Sequence, residues 1–148
     1  MSRTRKQKFI EGPPLFTAFK PMGVSCRKDS YVSLSLDEFE AVRLADYQGL
    51  DHAEAAEQMG TSRSTFSRLV MRARHKMAAF MIDGRQLVIE GGNIDFRCNV
   101  IQCQDCGSEV KVKIDSNVCE CAECSSQNIT KLADRFSREN CCKGGNHS

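Results

Sequence analysis

Apolar residues recur at helical spacing from residue 34 onward, and this pattern predicts a first helix over residues 36–48. Ser35, followed three residues later by Glu38, is the signature of a capping box, and Gly49 supplies a stop signal. The apolar positions of this segment fall three or four residues apart, so the helix is expected to bury one face.

Two further helices are predicted, and the turn between them is very short. Asp51 and Glu54 repeat the N-terminal signature, and Gly60 ends the second helix. Ser62 caps the third helix, which the pattern extends to Asp83. The apolar residues of the third helix recur every three or four positions and are expected to form its buried stripe: Phe66, Leu69, Val70, Ala73, Met77, Phe80 and Met81.

Charge is sorted along the chain, although the net charge is only +2. Residues 1–33 carry seven basic and two acidic side chains, whereas residues 34–60 carry one basic and seven acidic side chains. Residues 62–82, which contain most of the third helix, carry five basic side chains and no acidic one. Such sorting is typical of a protein with a polyanionic partner, so we expect the third helix to face nucleic acid.

A short helix, a glycine-containing turn and a longer second helix are the parts of a helix-turn-helix. In that motif the second helix enters the major groove of double-stranded DNA. Four side chains are expected nearest the bases: Arg63, Ser64, Ser67 and Arg68. Phosphate contacts are expected from Arg72, Arg74 and Lys76, and from the helix N-terminal amides near Thr61 and Ser62. A plain helical bundle with a solvated basic face is the alternative interpretation. The candidate DNA contacts are Thr61, Ser62, Arg63, Ser64, Thr65, Ser67, Arg68, Arg72, Arg74 and Lys76.

Longer motifs carry a resemblance to known proteins. The stretch HAEAAEQMGTSRSTFSRLVMRARHKM (52–77) resembles the region-4 helix-turn-helix of sigma-70-type factors. Three ordered motifs, FKPMG (19–23), LSLDEFEAVRLADYQGLDHAEAAEQMGTSRSTFSR (34–68) and DGRQLVIEGG (83–92), resemble uncharacterised protein family 0251, a family of small predicted DNA-binding proteins. The resemblance implies a sigma-70-region-4-like fold and a regulatory role.

The chain holds nine cysteines, and eight of them follow residue 97. Cys103 and Cys106 form one CxxC pair, Cys121 and Cys124 form another, and fourteen residues separate the pairs. Two such turns joined by a hairpin bring four thiolates together, as in a zinc ribbon. Zinc is therefore the predicted cofactor, with an iron–sulfur cluster as the alternative, because four thiolates satisfy either.

The remaining cysteines are not needed for a four-cysteine site. Cys98 and Cys119 lie close enough in sequence to replace a ligand or to bind a second group. Cys141 and Cys142 lie in a polar tail, and Cys26 stands alone near the N-terminus. This surplus favours an alternative function, in which the cysteine-rich region is a metal- or redox-sensing or protein-interaction module.

These patterns predict a mainly α fold class. Prolines and glycine interrupt residues 1–33, so a basic, largely irregular arm is expected there. The helix-turn-helix domain, with RQLVIEGG as a short terminal strand, is expected over residues 34–92. A small β zinc-ribbon-like module is expected over residues 97–130, and a polar cysteine-containing tail over residues 131–148.

The predicted function is DNA binding in transcription regulation, and no enzyme activity is expected. The sequence shows no serine–histidine–aspartate set and no phosphate loop, and a four-cysteine site leaves zinc no open position for chemistry. A cytoplasmic protein without membrane contact is expected, because neither a signal-peptide pattern nor a long apolar run is present. Double-stranded DNA is the expected partner; RNA polymerase or another protein, and a second copy of the chain, are further candidates.

Overall fold

The helices of the computed structural model lie in the middle of the chain. The structure describes residues 8–23 and 30–136. No helix within these ranges is both long enough and apolar enough to cross a membrane. The described α-helices are α1 (Leu36–Val42), α2 (His52–Met59) and α3 (Arg63–Asp83).

Each helix begins at a polar side chain that accepts a hydrogen bond from the helix's first turn. Ser35, Asp51 and Ser62 each accept from the backbone N–H three residues later, which satisfies a group without a partner in the helix. Gly60 and Gly84 end α2 and α3 in the left-handed conformation, with φ of 68° and 64°. The predicted starts of all three helices and the predicted stop at Gly60 are confirmed.

The first helix differs from its prediction near the C-terminal end. α1 ends at Val42, and the chain continues as a π-helical segment over Arg43–Tyr47 instead of as a regular α-helix to residue 48. The backbone N–H of Gln48 donates to the carbonyl of Arg43, five residues earlier. The side chain of Leu44 is buried within this segment, whereas that of Tyr47 is 86 % exposed.

The three helices share a small apolar core. Alanines on α2 allow α3 to approach closely, because no longer side chain separates the two backbones. In α3 the buried stripe ends at Ala73, whereas Met77 and Phe80 are half-buried and Met81 is 69 % exposed. The predicted stripe therefore extends further than the burial does. The core residues are Ala41, Leu44, Ala55, Ala56, Met59, Phe66, Leu69 and Val70.

Short strands lie before and after the helices. β1 (Lys8–Ile10) pairs with β5 (Ile94–Phe96). β2 (Ala18–Phe19) and β3 (Tyr31–Leu34) lie on either side of β4 (Gln86–Ile89), β2 antiparallel and β3 parallel to it. β4 is the strand predicted from the RQLVIEGG motif.

A third sheet follows in the chain. β6 (Cys98–Cys103) is the central strand of a three-stranded antiparallel sheet, with β7 (Glu109–Lys113) on one side and β8 (Ile129–Lys131) on the other. A 3₁₀ helix, Leu132–Phe136, follows β8. The buried side-chain oxygen of Asn99 accepts hydrogen bonds from two backbone N–H groups, one of them at the start of this 3₁₀ helix.

The chain divides into two units, and each is described by itself. One unit comprises Met1–Ile10 and Phe16–Asp95 and contains the three helices. The other comprises Glu11–Leu15 and Phe96–Ser148 and contains the sheet of β6, β7 and β8.

The prediction of a mainly α protein is wrong. In the described residues three α-helices are accompanied by eight strands in three sheets. The sequence pattern did not reveal this β-structure, for two reasons. The strands outside the cysteine region have two to four residues, too few for an alternating pattern to stand out. Their partners are also remote in sequence, since Tyr31 in β3 pairs with Gln86 in β4.

Candidate nucleic-acid interface and metal centre

The turn between α2 and α3 is held by backbone hydrogen bonds. The N–H of Gly60 donates to the carbonyl of Glu57, and the N–H of Thr61 donates to the carbonyl of Ala56. The hydroxyl of Ser62 accepts from the N–H of Thr65 at 3.2 Å. The two helices therefore follow one another after three residues, and the first turn of α3 is fixed in position.

From Arg63 to His75, the side of α3 that faces away from the core is polar and basic, with one exception; further along the same side, Ile82 is 82 % exposed. Ser64, Arg68, Met71 and His75 are exposed and recur at helical spacing. This row lies opposite the buried positions of the helix, and we call it the outer face of α3. Met71, the exception, is 68 % exposed and was not among the predicted contacts, because a methionine carries no charge signal.

Three arginines on α3 are available to a ligand. Arg63, Arg68 and Arg72 are exposed. Among the described residues, none of the three forms an ion pair. Thr65, Arg68, Met71 and Arg72 line a shallow surface depression of about 410 Å³. The structure thus brings three of the predicted residues, Thr65, Arg68 and Arg72, together on one surface.

Other predicted contacts are engaged within the protein. The hydroxyl of Ser67 lies 2.8 Å from Nδ1 of His52 on α2, and the ring of His52 meets that of Phe66 edge-on. The hydroxyls of Ser62 and Thr65 lie 2.9 Å apart in the helix cap. These side chains join α3 to its turn and to α2.

Arg74 and Lys76 both pair with acidic side chains of earlier elements. Nη2 of Arg74 lies 2.6 Å from a carboxylate oxygen of Asp46 in the π-helical segment. This hydrogen bond lowers the pKa of Asp46 and raises the pKa of Arg74. Nζ of Lys76 lies 2.6 Å from Oε1 of Glu38, whose side chain is 4 % exposed. Two of the three side chains predicted to contact phosphate, Arg74 and Lys76, therefore hold α3 against other parts of the unit.

The second site is a cluster of four thiols. The Sγ atoms of Cys103, Cys106, Cys121 and Cys124 all lie within 4.8 Å of one another. Cys103 to Cys124 and Cys106 to Cys121 are both 3.6 Å. In a tetrahedral site with zinc–sulfur bonds of about 2.3 Å, neighbouring sulfurs are roughly 3.8 Å apart. The four cysteines can therefore hold a metal ion, and their arrangement fits zinc.

Nearby donors prepare the thiols for deprotonation. The backbone N–H groups of Cys106 and Glu123 donate to the sulfurs of Cys103 and Cys121, at 3.5 and 3.3 Å. The hydroxyl of Ser108 lies 3.2 Å from the sulfurs of both Cys106 and Cys121. This hydroxyl is the main reason that the pKa of Cys121 falls to about 6. A thiolate is the form that binds metal, so these contacts favour binding.

The pKa of the fourth thiol, Cys124, shifts in the opposite direction from that of Cys121. A backbone hydrogen bond at Ser126 lowers the pKa of Cys124, but its three neighbouring thiols and burial outweigh that effect and raise the pKa to about 12. Four sulfurs at these distances cannot all be anionic without a cation between them. The crowding that raises this pKa is thus relieved when a metal ion binds.

A second set of contacts joins the two CxxC turns. Asp105, between Cys103 and Cys106, accepts hydrogen bonds from the hydroxyl of Ser126 and from Nδ2 of Asn128. These donors lower the pKa of the Asp105 carboxyl, Ser126 more than Asn128. The sequence did not indicate this contact, since the partners are more than twenty residues apart.

The other described cysteines lie outside the cluster. Cys98 is half-buried at the start of β6, and Cys119 is exposed, with its sulfur 3.8 Å from the carbonyl of Asn117. Neither belongs to the group that can hold a metal. Cys26, Cys141 and Cys142 lie outside the described residues.

The family match and the similar proteins agree with one another. The family described as "Protein of unknown function DUF134" matches residues 1–97. A UPF0251 protein of Chloroherpeton thalassium is 47 % identical over 119 residues, which cover 80 % of this chain and 79 % of that protein. A UPF0251 protein of Pelotomaculum thermopropionicum is 41 % identical over 111 residues, covering 75 % and 84 %. No solved structure matches the chain.

Proposed function

Starting from the fact that the chain belongs to the DUF134 or UPF0251 family, we propose that it is a double-stranded DNA-binding protein that regulates transcription. In this proposal α2 and α3 form a helix-turn-helix, and the first half of α3 enters the major groove. The metal site stabilises the second unit and takes no part in catalysis.

The exposed arginines of α3 that form no ion pair are the observation that carries this proposal. Arg63, Arg68 and Arg72 extend from a helix whose other side is packed in the core, and no acidic side chain of the described chain pairs with them. Arginine donors at helical spacing fit guanine edges and phosphates in the major groove. A helical bundle with a solvated basic face would not require one helix to carry some basic side chains in ion pairs and others without a partner.

Each exposed residue has a role that follows from its place. Arg63, Ser64 and Arg68 lie in the first two turns of α3 and reach base edges. Arg72 lies one turn further along, at the edge of the outer face, and contacts phosphate. Arg74 hydrogen-bonds to Asp46 and therefore serves as a structural residue within the unit.

The four cysteines favour a structural role for the metal. They can fill all four positions of a tetrahedral zinc ion, which leaves no site for substrate or water. A unit of this size buries little apolar surface, so metal binding supplies much of its folding free energy.

The test is binding to a pool of genomic DNA fragments, followed by affinity measurement on the enriched sequence at fixed salt. We expect Arg68→Ala to cost about 1–3 kcal/mol, or roughly 5- to 150-fold in Kd, because it removes a base contact. Arg72→Ala should weaken enriched and random sequences alike and reduce the slope of log K against log salt by about 1.

Arg74→Ala is the matched control, because it removes the same charge from the same helix but from a side chain paired with Asp46. It should change the affinity less than Arg68→Ala does. The proposal is wrong if no sequence is enriched, or if Arg68→Ala and Arg74→Ala lose specific binding to the same extent.

A further inference from the structure

Met71 occupies a position where a polar residue is expected. It lies on the outer face of α3 between Arg68 and His75, and its side chain is 68 % exposed. The buried stripe of the same helix consists of Phe66, Leu69, Val70 and Ala73, so Met71 contributes nothing to the core. Because this unbranched apolar side chain lies in one surface depression with two arginines that form no ion pair, it is placed to make an apolar contact with the ligand that those arginines bind.

The surroundings of Met71 limit what that ligand can be. The depression that it lines also contains Thr65, Arg68 and Arg72, so the apolar group lies among a hydroxyl and two guanidinium groups. A partner must therefore present an apolar group beside hydrogen-bond acceptors and negative charge. The major-groove edge of DNA does so where thymine carries its C5-methyl group next to guanine O6 and N7 and the phosphates.

The spacing along the helix fits neighbouring base pairs. Arg68 and Met71 are three residues apart, which corresponds to a rise of about 4.5 Å along an α-helix. Successive bases of one DNA strand are about 3.4 Å apart. Two side chains of the outer face at this spacing can therefore meet adjacent base pairs.

Resting on the proposed function, we propose that Met71 recognises the C5-methyl group of a thymine adjacent to the guanine that Arg68 contacts. The recognised DNA therefore contains a guanine–thymine neighbour pair at the centre of the contact. Arg68 supplies hydrogen bonds to one base, and the thioether chain of Met71 covers the methyl group of the next.

The test replaces each thymine of the enriched sequence, one at a time, by deoxyuridine, which lacks only the methyl group. For the wild-type protein we expect one position at which the replacement weakens binding about fourfold, which corresponds to the about 0.8 kcal/mol of one buried methyl group. Met71→Ala should bind the thymine and deoxyuridine versions of that position equally well. Replacement at the other thymines serves as the internal control.

Each outcome separates this inference from the proposed function. If the wild-type protein binds an enriched sequence but no deoxyuridine replacement weakens it, or if Met71→Ala is as sensitive as the wild type, the assignment to Met71 is overturned while DNA binding stands. If no sequence is enriched, both fail. If Met71→Ala changes only the oligomeric state, measured by sedimentation, then Met71 contacts protein, and the inference is also overturned.

Discussion

Lys76 illustrates how a single contact changes the role assigned to a residue. Sequence alone places this lysine with the phosphate contacts, because it continues the basic side of α3. In the structure its ammonium lies 2.6 Å from the carboxylate of Glu38, which also accepts hydrogen bonds from the N–H and hydroxyl of Ser35. The partner is 38 residues away, so no local pattern reveals the pair.

We therefore predict that Lys76→Met lowers stability more than it lowers DNA affinity. Removing the lysine leaves the nearly buried Glu38 carboxylate without its cation, and about 1–3 kcal/mol of unfolding free energy should be lost. Arg74→Met should cost less than about 1 kcal/mol, because its pair with Asp46 is exposed. Urea unfolding measures both variants. A stable Lys76→Met protein that binds DNA tenfold more weakly would instead make Lys76 a phosphate contact.

At the level of elements, the helices could be predicted and most of the strands could not. Ser35, Asp51 and Ser62 act within three residues, so each start signal is visible in the sequence. The strands before α1 depend on remote partners. Likewise, the CxxC spacing predicted the four-thiol cluster, but not the hydroxyl of Ser108 between two of its sulfurs.

The turn between α2 and α3 offers a test at this level. Gly60 and Gly84 both adopt the left-handed conformation, but a side chain at Gly60 would lie 3.1 Å from the ring of Phe9, whereas nothing lies near Gly84. We expect Gly84→Ala to cost about 1 kcal/mol from backbone strain alone. Gly60→Ala should cost at least about 0.5 kcal/mol more, because the ring of Phe9 must move.

Urea unfolding of both alanine variants gives this difference directly. Adding Phe9→Ala to Gly60→Ala should remove the excess, as expected of two residues in contact. Equal losses for Gly60→Ala and Gly84→Ala would show that the ring of Phe9 exerts no constraint on the turn.

At the level of the whole molecule, the thiol cluster and α3 belong to different units. The unit with the helices has a core of its own, whereas the other unit joins β6 to its neighbouring turns through the cysteines. If the cluster holds a metal ion as proposed, its removal with a chelator should unfold the sheet of β6, β7 and β8 and leave α1, α2 and α3 folded. The dispersion of amide chemical shifts in an NMR spectrum, compared for the two units, shows which of them remains folded.

The same metal-free protein distinguishes a structural metal from a sensing one. If the metal only holds the second unit together, the affinity of α3 for its DNA should change less than about threefold on chelation, since none of the four sulfurs lies in the unit that contains α3. Cys103→Ser, which removes a buried thiol of the cluster, should behave like the chelated protein, and Cys119→Ser, outside the cluster, like the wild type. A change of tenfold or more on metal removal, reproduced by Cys103→Ser and absent in Cys119→Ser, would mean a coupling free energy of about 1.4 kcal/mol between the sites. The cysteine cluster would then regulate DNA binding, as the surplus of thiols first suggested.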